Sequence, residues 1–370
     1  MSKILVNVLT TYSSPNSLGL IYPFLANREF FAHKGVRFRF SDSIDGKISA
    51  CDVVFINSKI FREWFPKREG RLYETLAGLK KRVSKVIWFD TTDSTGTTQF
   101  SVMPFVDGYY KAQVLKDRSL YGKVFYGHRI FSDYYKDLFA IEDGVKHHGP
   151  ARRRPAADYT LAEKDACKLG VSWNSAMNEW GTYNYLYGSL IARLRARLPV
   201  KTDYSIRFTS ADGPRRMGVS GRIGLSHLRN TIRRQREEIT SMLKDEFGVE
   251  CGKMPRGRYL KELRRSRIGV SPFGLGEISC RDFEIIINGA LLFKQDMSHL
   301  ETWPPLYRED ETYIPFSWDL KDFKDRLRGL LDDGRRVSEI SRRAQERYRY
   351  YLYGPGRSEI RDKILRIING

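Results

Sequence analysis

SPFGLGEISCRDFEIIINGALLFKQDMSHLETW, residues 271–303, is the stretch on which the reading of this chain turns. Small residues and glycines lead into a segment carrying Glu277, Arg281, Asp282 and Glu284. An apolar run with one glycine follows over 285–293, and then a polar loop. The preceding RIGVS reads as a strand ending at Ser271, 282–288 as a helix and ALLF as the next strand. Strand, glycine loop, helix and strand make the repeating unit of a parallel α/β sheet. Ligands of such sheets bind beyond the carboxyl ends of the strands, where loops enter helix N-termini.

The residues at that place suit a phosphate and two polyols. Gly274 and Gly276 let the loop backbone approach a ligand. A helix N-terminus offers free N–H groups and a partial positive charge. Arg281, in the first turn, adds a fork of donors for a diphosphate. Glu284, one turn further on, can accept hydrogen bonds from a ribose diol, and Glu277 from a second sugar. The same residue types are also ordinary helix caps, so the pattern alone leaves both readings open.

Working outward, ILVNVL, RFRFSD, DVVFIN and KVIWFD read as strands in the first half, with helices over 17–33 and 71–82. Residues 144–160, rich in Pro, Gly, Ala and charge, read as a linker. KLGVSWN and DYSIRFTS then restart the pattern, followed by helices over 226–247 and 259–265 and, beyond residue 320, by further helices. The expected class is α/β, with two Rossmann-like domains facing a cleft and C-terminal helices. The N-terminal domain is drawn over 1–160 and the second over 161–350. A last helix over 351–370 is expected to pack back on the first domain.

The chain has 370 residues, of which 41% are hydrophobic and 13% aromatic, enough for packed cores rather than disorder. No apolar run is long enough to span a bilayer, and the N-terminus lacks the features of a signal peptide, so a cytoplasmic protein is expected. The four cysteines are dispersed and read as buried reduced thiols; no metal-ligand spacing is present, although His147 and His148 are adjacent. The net charge of +20 implies an anionic partner: a phosphorylated substrate, an anionic membrane face or nucleic acid. Its densest clusters are Arg152–Arg154, Arg215–Arg216, Arg233–Arg236 and Arg264–Arg267, each of which also reads as a solvated face.

The order loop, Glu277, Arg281, Phe283, Glu284, Gly289, Asp296, Leu300, Glu301, Asp319 and Leu320 resembles the donor-binding half of GT-B glycosyltransferases. The nearest resemblance is to the bacterial glycosyltransferase family 1-like, spore-maturation-type domain, over 267–347. It implies a nucleoside diphosphate sugar donor, a ribose contact for Glu284 and a sugar contact for Glu277. The family's two glutamates stand one residue further apart than Glu277 and Glu284 do. The resemblance also implies a second cationic contact to the diphosphate from an earlier loop, where Arg215, Arg216 and Arg222 lie, with Arg207 just before it. Ser271, Asp296 and His299 are expected around the donor pocket.

An acceptor side is expected at TTDSTGT, residues 91–97, beyond the strand KVIWFD. Asp90 or Asp93 would serve there as a general base, and His128 is a further candidate. The resulting expectation is a metal-independent glycosyl transfer to a hydroxyl of a glycan or lipid-linked glycan, at or near an anionic inner membrane face. No cofactor beyond the donor substrate is expected, and no nucleic acid. Two rivals remain: a basic nucleic-acid-binding protein, and a catalytically silent nucleotide- or sugar-binding module.

Overall fold

The computed structural model describes residues 3–44, 48–65, 68–144, 155–180, 185–198, 200–226 and 229–370. The expected cluster Arg152–Arg154, the pair His147 and His148, and most of the expected linker lie outside these residues.

The chain is α/β, with two parallel sheets. The first has six strands: β1 (Ile4–Leu9), β2 (Val36–Ser41), β3 (Val53–Asn57), β4 (Lys85–Asp90), β5 (Gly108–Lys111) and, from further along the chain, β7 (Leu169–Val171). Their order is β2-β1-β3-β4-β5-β7, with all pairs parallel. The direction of winding reverses between β1 and β3, which opens a crevice at their carboxyl ends. The strands are nearly continuous apolar runs because helices cover both faces. On one face lie α1 (Pro15–Ala26) and α2 (Arg28–His33); α3 (Glu69–Lys80) buries Leu72, Leu76 and Leu79 beside Trp88. The single helix expected over 17–33 breaks at Asn27, whose backbone leaves the helical region and whose side chain bonds the Pro23 carbonyl. Helix α4 (Ile130–Phe139) ends the first half and reaches into the second: Phe131 packs on Phe273 at 5.0 Å between ring centroids.

The second sheet has the order β12-β10-β9-β8, again parallel. Its strands are β8 (Met217–Ser220), β9 (Ser266–Val270), β10 (Leu291–Gln295) and β12 (Ile314–Phe316). Helices α5 (Tyr185–Arg197), α6 (Asn230–Phe247), α7 (Arg256–Leu263), α8 (Cys280–Ile287), α9 (Phe323–Asp332) and α10 (Gly334–Leu352) precede or surround it. Gly248, at φ 61, closes α6 in the left-handed conformation that glycine adopts without penalty.

Two expected strands behave differently. KLGVSWN supplies β7, which pairs with β5 and so closes the first sheet rather than opening the second; that sheet therefore extends past residue 160. DYSIRFTS forms no ladder: Tyr204 and Ile206 are buried, but Arg207 stays exposed and the Thr209 N–H bonds the Ile287 carbonyl. The halves are joined by a short antiparallel pair, β6 (Gln113–Leu115) with β11 (Leu300–Thr302), in the register Leu300 to Leu115. One apolar core runs through both, from Phe24, Phe89 and Trp173 to Phe283 and Tyr348. The last helix, α11 (Arg357–Asn369), returns to the first half, where Lys85 donates to the Ile368 carbonyl and Lys363 to that of Val171. All four cysteines are free; Cys167 is exposed and the other three half-buried, less hidden than the sequence suggests.

Candidate functional site

The loop after β4 is built around a buried lysine. Lys111 is fully buried, and its ammonium reaches the Asp90 carboxylate at 3.2 Å, the Thr92 carbonyl at 3.3 Å and the Thr97 carbonyl at 3.0 Å. Asp90 also accepts from the Tyr109 hydroxyl and the Thr92 N–H. Burial, and after it the Asp90 charge, pushes the Tyr109 phenol well above its ordinary value. Asp90 is thus engaged in shaping the loop, at 1% exposure, while bordering a small cleft that Asp93 also lines. Asp93 differs. It is half-buried, one oxygen accepts from Asn16 Nδ2 at 2.7 Å, and it lines two clefts. The smaller, of about 40 Å³, lies against Asn16, Gln113, Trp173 and Asn174. The larger, of about 410 Å³, lies against Lys59, Arg62, Arg129 and Leu275.

Glu277 reaches this loop from the other half. Its side chain is fully buried and accepts from Ser94 Oγ at 3.1 Å, Thr95 Oγ1 at 2.6 Å, Thr95 N–H at 3.2 Å and Gln113 Nε2 at 3.1 Å. Burial pushes the carboxyl up, but His299 and Thr95 outweigh it and hold it below its ordinary value. The expected sugar contact of Glu277 is therefore replaced by a bond between the two halves. Gly276 serves the same junction, because a Cβ there would overlap the Asp93 carbonyl oxygen. His299 stands 3.8 Å from Glu277, with its ring edge-on to Trp318 at 4.8 Å, and neither ring nitrogen has a hydrogen-bond partner.

The start of α8 is organised by Asp282, which forms a capping box with Ser279. Its carboxylate also takes the Ser271 hydroxyl, the Tyr307 hydroxyl at 2.8 Å and the buried Lys294 ammonium at 3.3 Å. Ser271 is thereby a support of the helix start. The Gly274 N–H bonds the Gly276 carbonyl, and Gly274 leaves room for Arg236 Nη2. Arg236, on α6, is buried and among the described residues bonds the Phe273 and Gly224 carbonyls. Burial, followed by the nearby Arg281 charge, lowers it to about 9, still a cation at neutral pH. Arg281 bonds the Arg222 carbonyl and lies beside the Tyr259 hydroxyl. Neither guanidinium has a carboxylate within ion-pair distance among the described residues. Glu284, 7% exposed, pairs with Arg256 at 3.0 Å through one oxygen; burial raises it, opposed by Arg256 and Arg281. The buried Tyr259 hydroxyl, close enough to feel Arg281 and Glu284, has no hydrogen-bond partner.

Other expected contacts fall elsewhere. Arg222 is held by Glu262 at 2.7 Å and Glu250 at 2.8 Å, so its charge is answered. Arg216 is exposed and tied to none of the α8 residues. Arg215 cross-links loops by donating to the carbonyls of Ser210, Ser266 and Asn288. Asp296 accepts from the Ser298 N–H and closes its own turn. His128, at φ 59, stacks on Tyr159 at 3.7 Å between ring centroids.

Sequence reasoning missed Arg236, Arg129, Arg256 and Gln113. For Arg236 a signal existed. It stands four residues after Ile232 and three before Ile239, on the stripe α6 buries, while Arg233 and Arg234 pair outward with Glu237 and Glu238. The others owe their places to loops far away in sequence, for which no local pattern exists.

No protein-family model matches the sequence, and no curated protein does. Among solved structures, Anabaena Alr3699/HepE in complex with UDP and glucose overlays with a TM-score of 0.45 at 10% identity, covering 99% of each chain. An alpha-glucosyltransferase in complex with UDP and a 13-mer DNA containing a HMU base overlays with a TM-score of 0.40 at 11% identity, over 100% of both chains. Overlays this loose assign neither fold nor activity.

Proposed function

We propose that this chain is a GT-B-type glycosyltransferase that moves a sugar from a nucleoside diphosphate sugar to a hydroxyl. The observation that carries the reading is the pair Arg236 and Arg281 at the α8 loop, two cations with no carboxylate at ion-pair distance among the described residues. Buried or half-buried charge without a partner is costly, and a diphosphate supplies the missing partner. Glu284 has a second carboxylate oxygen free of hydrogen bonds from the described residues, suited to a ribose diol. The unpartnered Tyr259 hydroxyl is a further donor beside it.

In the proposed reaction an acceptor hydroxyl attacks the anomeric carbon, and the bond to the diphosphate oxygen breaks. Arg281, Arg236 and the α8 N-terminus stabilise the charge that develops on the leaving group. Asp93 is the carboxylate available to take the hydroxyl proton. The proposed donor and acceptor sides meet where Gly276 touches Asp93, so Glu277 positions the two loops rather than binding the sugar. The proposal does without a metal ion. A lipid-linked or other glycan acceptor and peripheral attachment to an anionic membrane remain part of it, supported by the +20 charge. No helix among the described residues is long and apolar enough to cross a membrane.

The test is release of nucleoside diphosphate from a panel of UDP-, GDP-, ADP- and CDP-sugars, with and without hydroxyl acceptors. Release from one donor class, increased by an acceptor and absent in Asp93→Asn, is expected. Release from none of them overturns the reading.

A further inference from the structure

We propose that the larger cleft beside Asp93 binds an acceptor carrying an anionic group, phosphate or carboxylate, close to its reactive hydroxyl. The inference rests on the glycosyl-transfer reading and names the acceptor class for it. The cleft holds about 410 Å³, a size suited to a sugar ring with its substituents. Three cations and one carboxylate line it: Lys59, Arg62, Arg129 and Asp93.

The cations are placed rather than scattered. Lys59 and Arg62 stand on the turn Ser58–Trp64 directly after β3, which is anchored where Asn57 Oδ1 accepts from the Lys59 N–H. Neither side chain makes a hydrogen bond or ion pair with the described residues. Elsewhere on this chain exposed arginines are commonly answered, as Arg335 is by Glu339 and Arg342 by Glu346. Arg129 lies deeper, 6% exposed, and among the described residues its side chain donates to the Leu275 and Gly127 carbonyls, both at 2.6 Å. Burial, followed by the Arg229 charge, lowers it to about 10, so it remains a cation that an incoming anion would relieve. The one carboxylate on the wall already has an oxygen engaged by Asn16. A concave wall with this excess of positive charge concentrates anions.

The lining of the cleft includes neither Arg236 nor Arg281, the cations that the donor diphosphate would use. An anion held by Lys59 and Arg62 brings a neighbouring hydroxyl to Asp93 on the shared wall. The hydroxyl oxygen then attacks the anomeric carbon, the diphosphate leaves and the proton passes to Asp93. The anionic group is unchanged, and its task is orientation.

The experiment is saturation-transfer NMR on the full chain with glucose 6-phosphate, glucuronate, glucose and a short single-stranded oligonucleotide. The parent is compared with Lys59→Gln/Arg62→Gln, which changes a half-buried and an exposed side chain and spares the buried Arg129. Glucose 6-phosphate or glucuronate is expected to bind, and about tenfold more weakly in the double variant, the loss expected for a charge-assisted contact. Which of the two binds separates phosphate from carboxylate chemistry. Nucleoside diphosphate binding is expected to match the parent. Equal binding of glucose and its 6-phosphate, binding of the oligonucleotide alone, or binding unchanged in the variant overturns the proposal. If the parent binds glucose 6-phosphate but no nucleoside diphosphate, the donor reading fails while the anionic cleft stands.

Discussion

Gly276 and Asp93 meet backbone to backbone, so closely that a Cβ on Gly276 would overlap the Asp93 carbonyl oxygen. This contact, with the Glu277 carboxylate beside it, joins the loop after β4 to the loop before α8. The prediction is that Gly276→Ala forces the loops apart and costs on the order of 1–3 kcal/mol, as overpacking does. Urea unfolding of the two proteins checks it, and an unchanged midpoint and slope would mean the junction yields freely.

The Glu277 bonds have a pH signature. Its folded-state pKa lies below the ordinary value of 4.5, so the stability it contributes is present above about pH 4.5 and is lost as pH falls through the folded value. Glu277→Gln cannot titrate and leaves the Ser94 and Thr95 donors poorly matched, at a cost of roughly 1–3 kcal/mol at neutral pH. Thermal melting from pH 3 to pH 7 should show the gap between parent and variant narrowing toward acid. A constant gap would remove Glu277 as the cause.

Asp90 and Asp93 should separate cleanly. Asp90→Asn leaves the Lys111 ammonium fully buried without a carboxylate, and breaking such a pair costs about 3–5 kcal/mol. Asp93→Asn should leave the melting temperature close to the parent and reduce turnover by about 10²–10⁴, the range for losing a general base. A loss of stability in Asp93→Asn as large as that in Asp90→Asn would contradict this division of labour.

The strand-forming runs were legible because parallel strands covered on both faces must be apolar throughout: ILVNVL, DVVFIN, KVIWFD and RIGVS all became strands. The helix of residues 280–287 was legible from its capping residues and apolar face. The side of the junction on which Leu169–Val171 would pair was not, because three residues carry no mark of a partner sixty positions away at Tyr109. Nor did 203–210 reveal that its apolar residues would be buried without a ladder. The candidate site was legible by residue type and only partly by role. Arg281 and Asp93 lie half-buried and Glu284 is buried beside Arg256. Glu277 and Ser271 found protein donors and acceptors instead, supplied in part by Thr95, Gln113 and Lys294 from outside their own loop.

The most direct test is thermal shift of the purified chain with UDP, GDP, ADP and CDP, beside Arg281→Ala and Arg236→Gln. A bound nucleotide raises the melting temperature in proportion to RT ln(1 + [L]/Kd), so modest affinity suffices at high concentration. A shift with one nucleotide class is expected, lost in both variants and kept in Asp93→Asn. Removing either unanswered guanidinium should weaken binding by about 1.5–3 kcal/mol, the value of a hydrogen bond to a charged group. No shift with any nucleotide, or a shift that both arginine variants retain, would contradict the donor site at the start of α8.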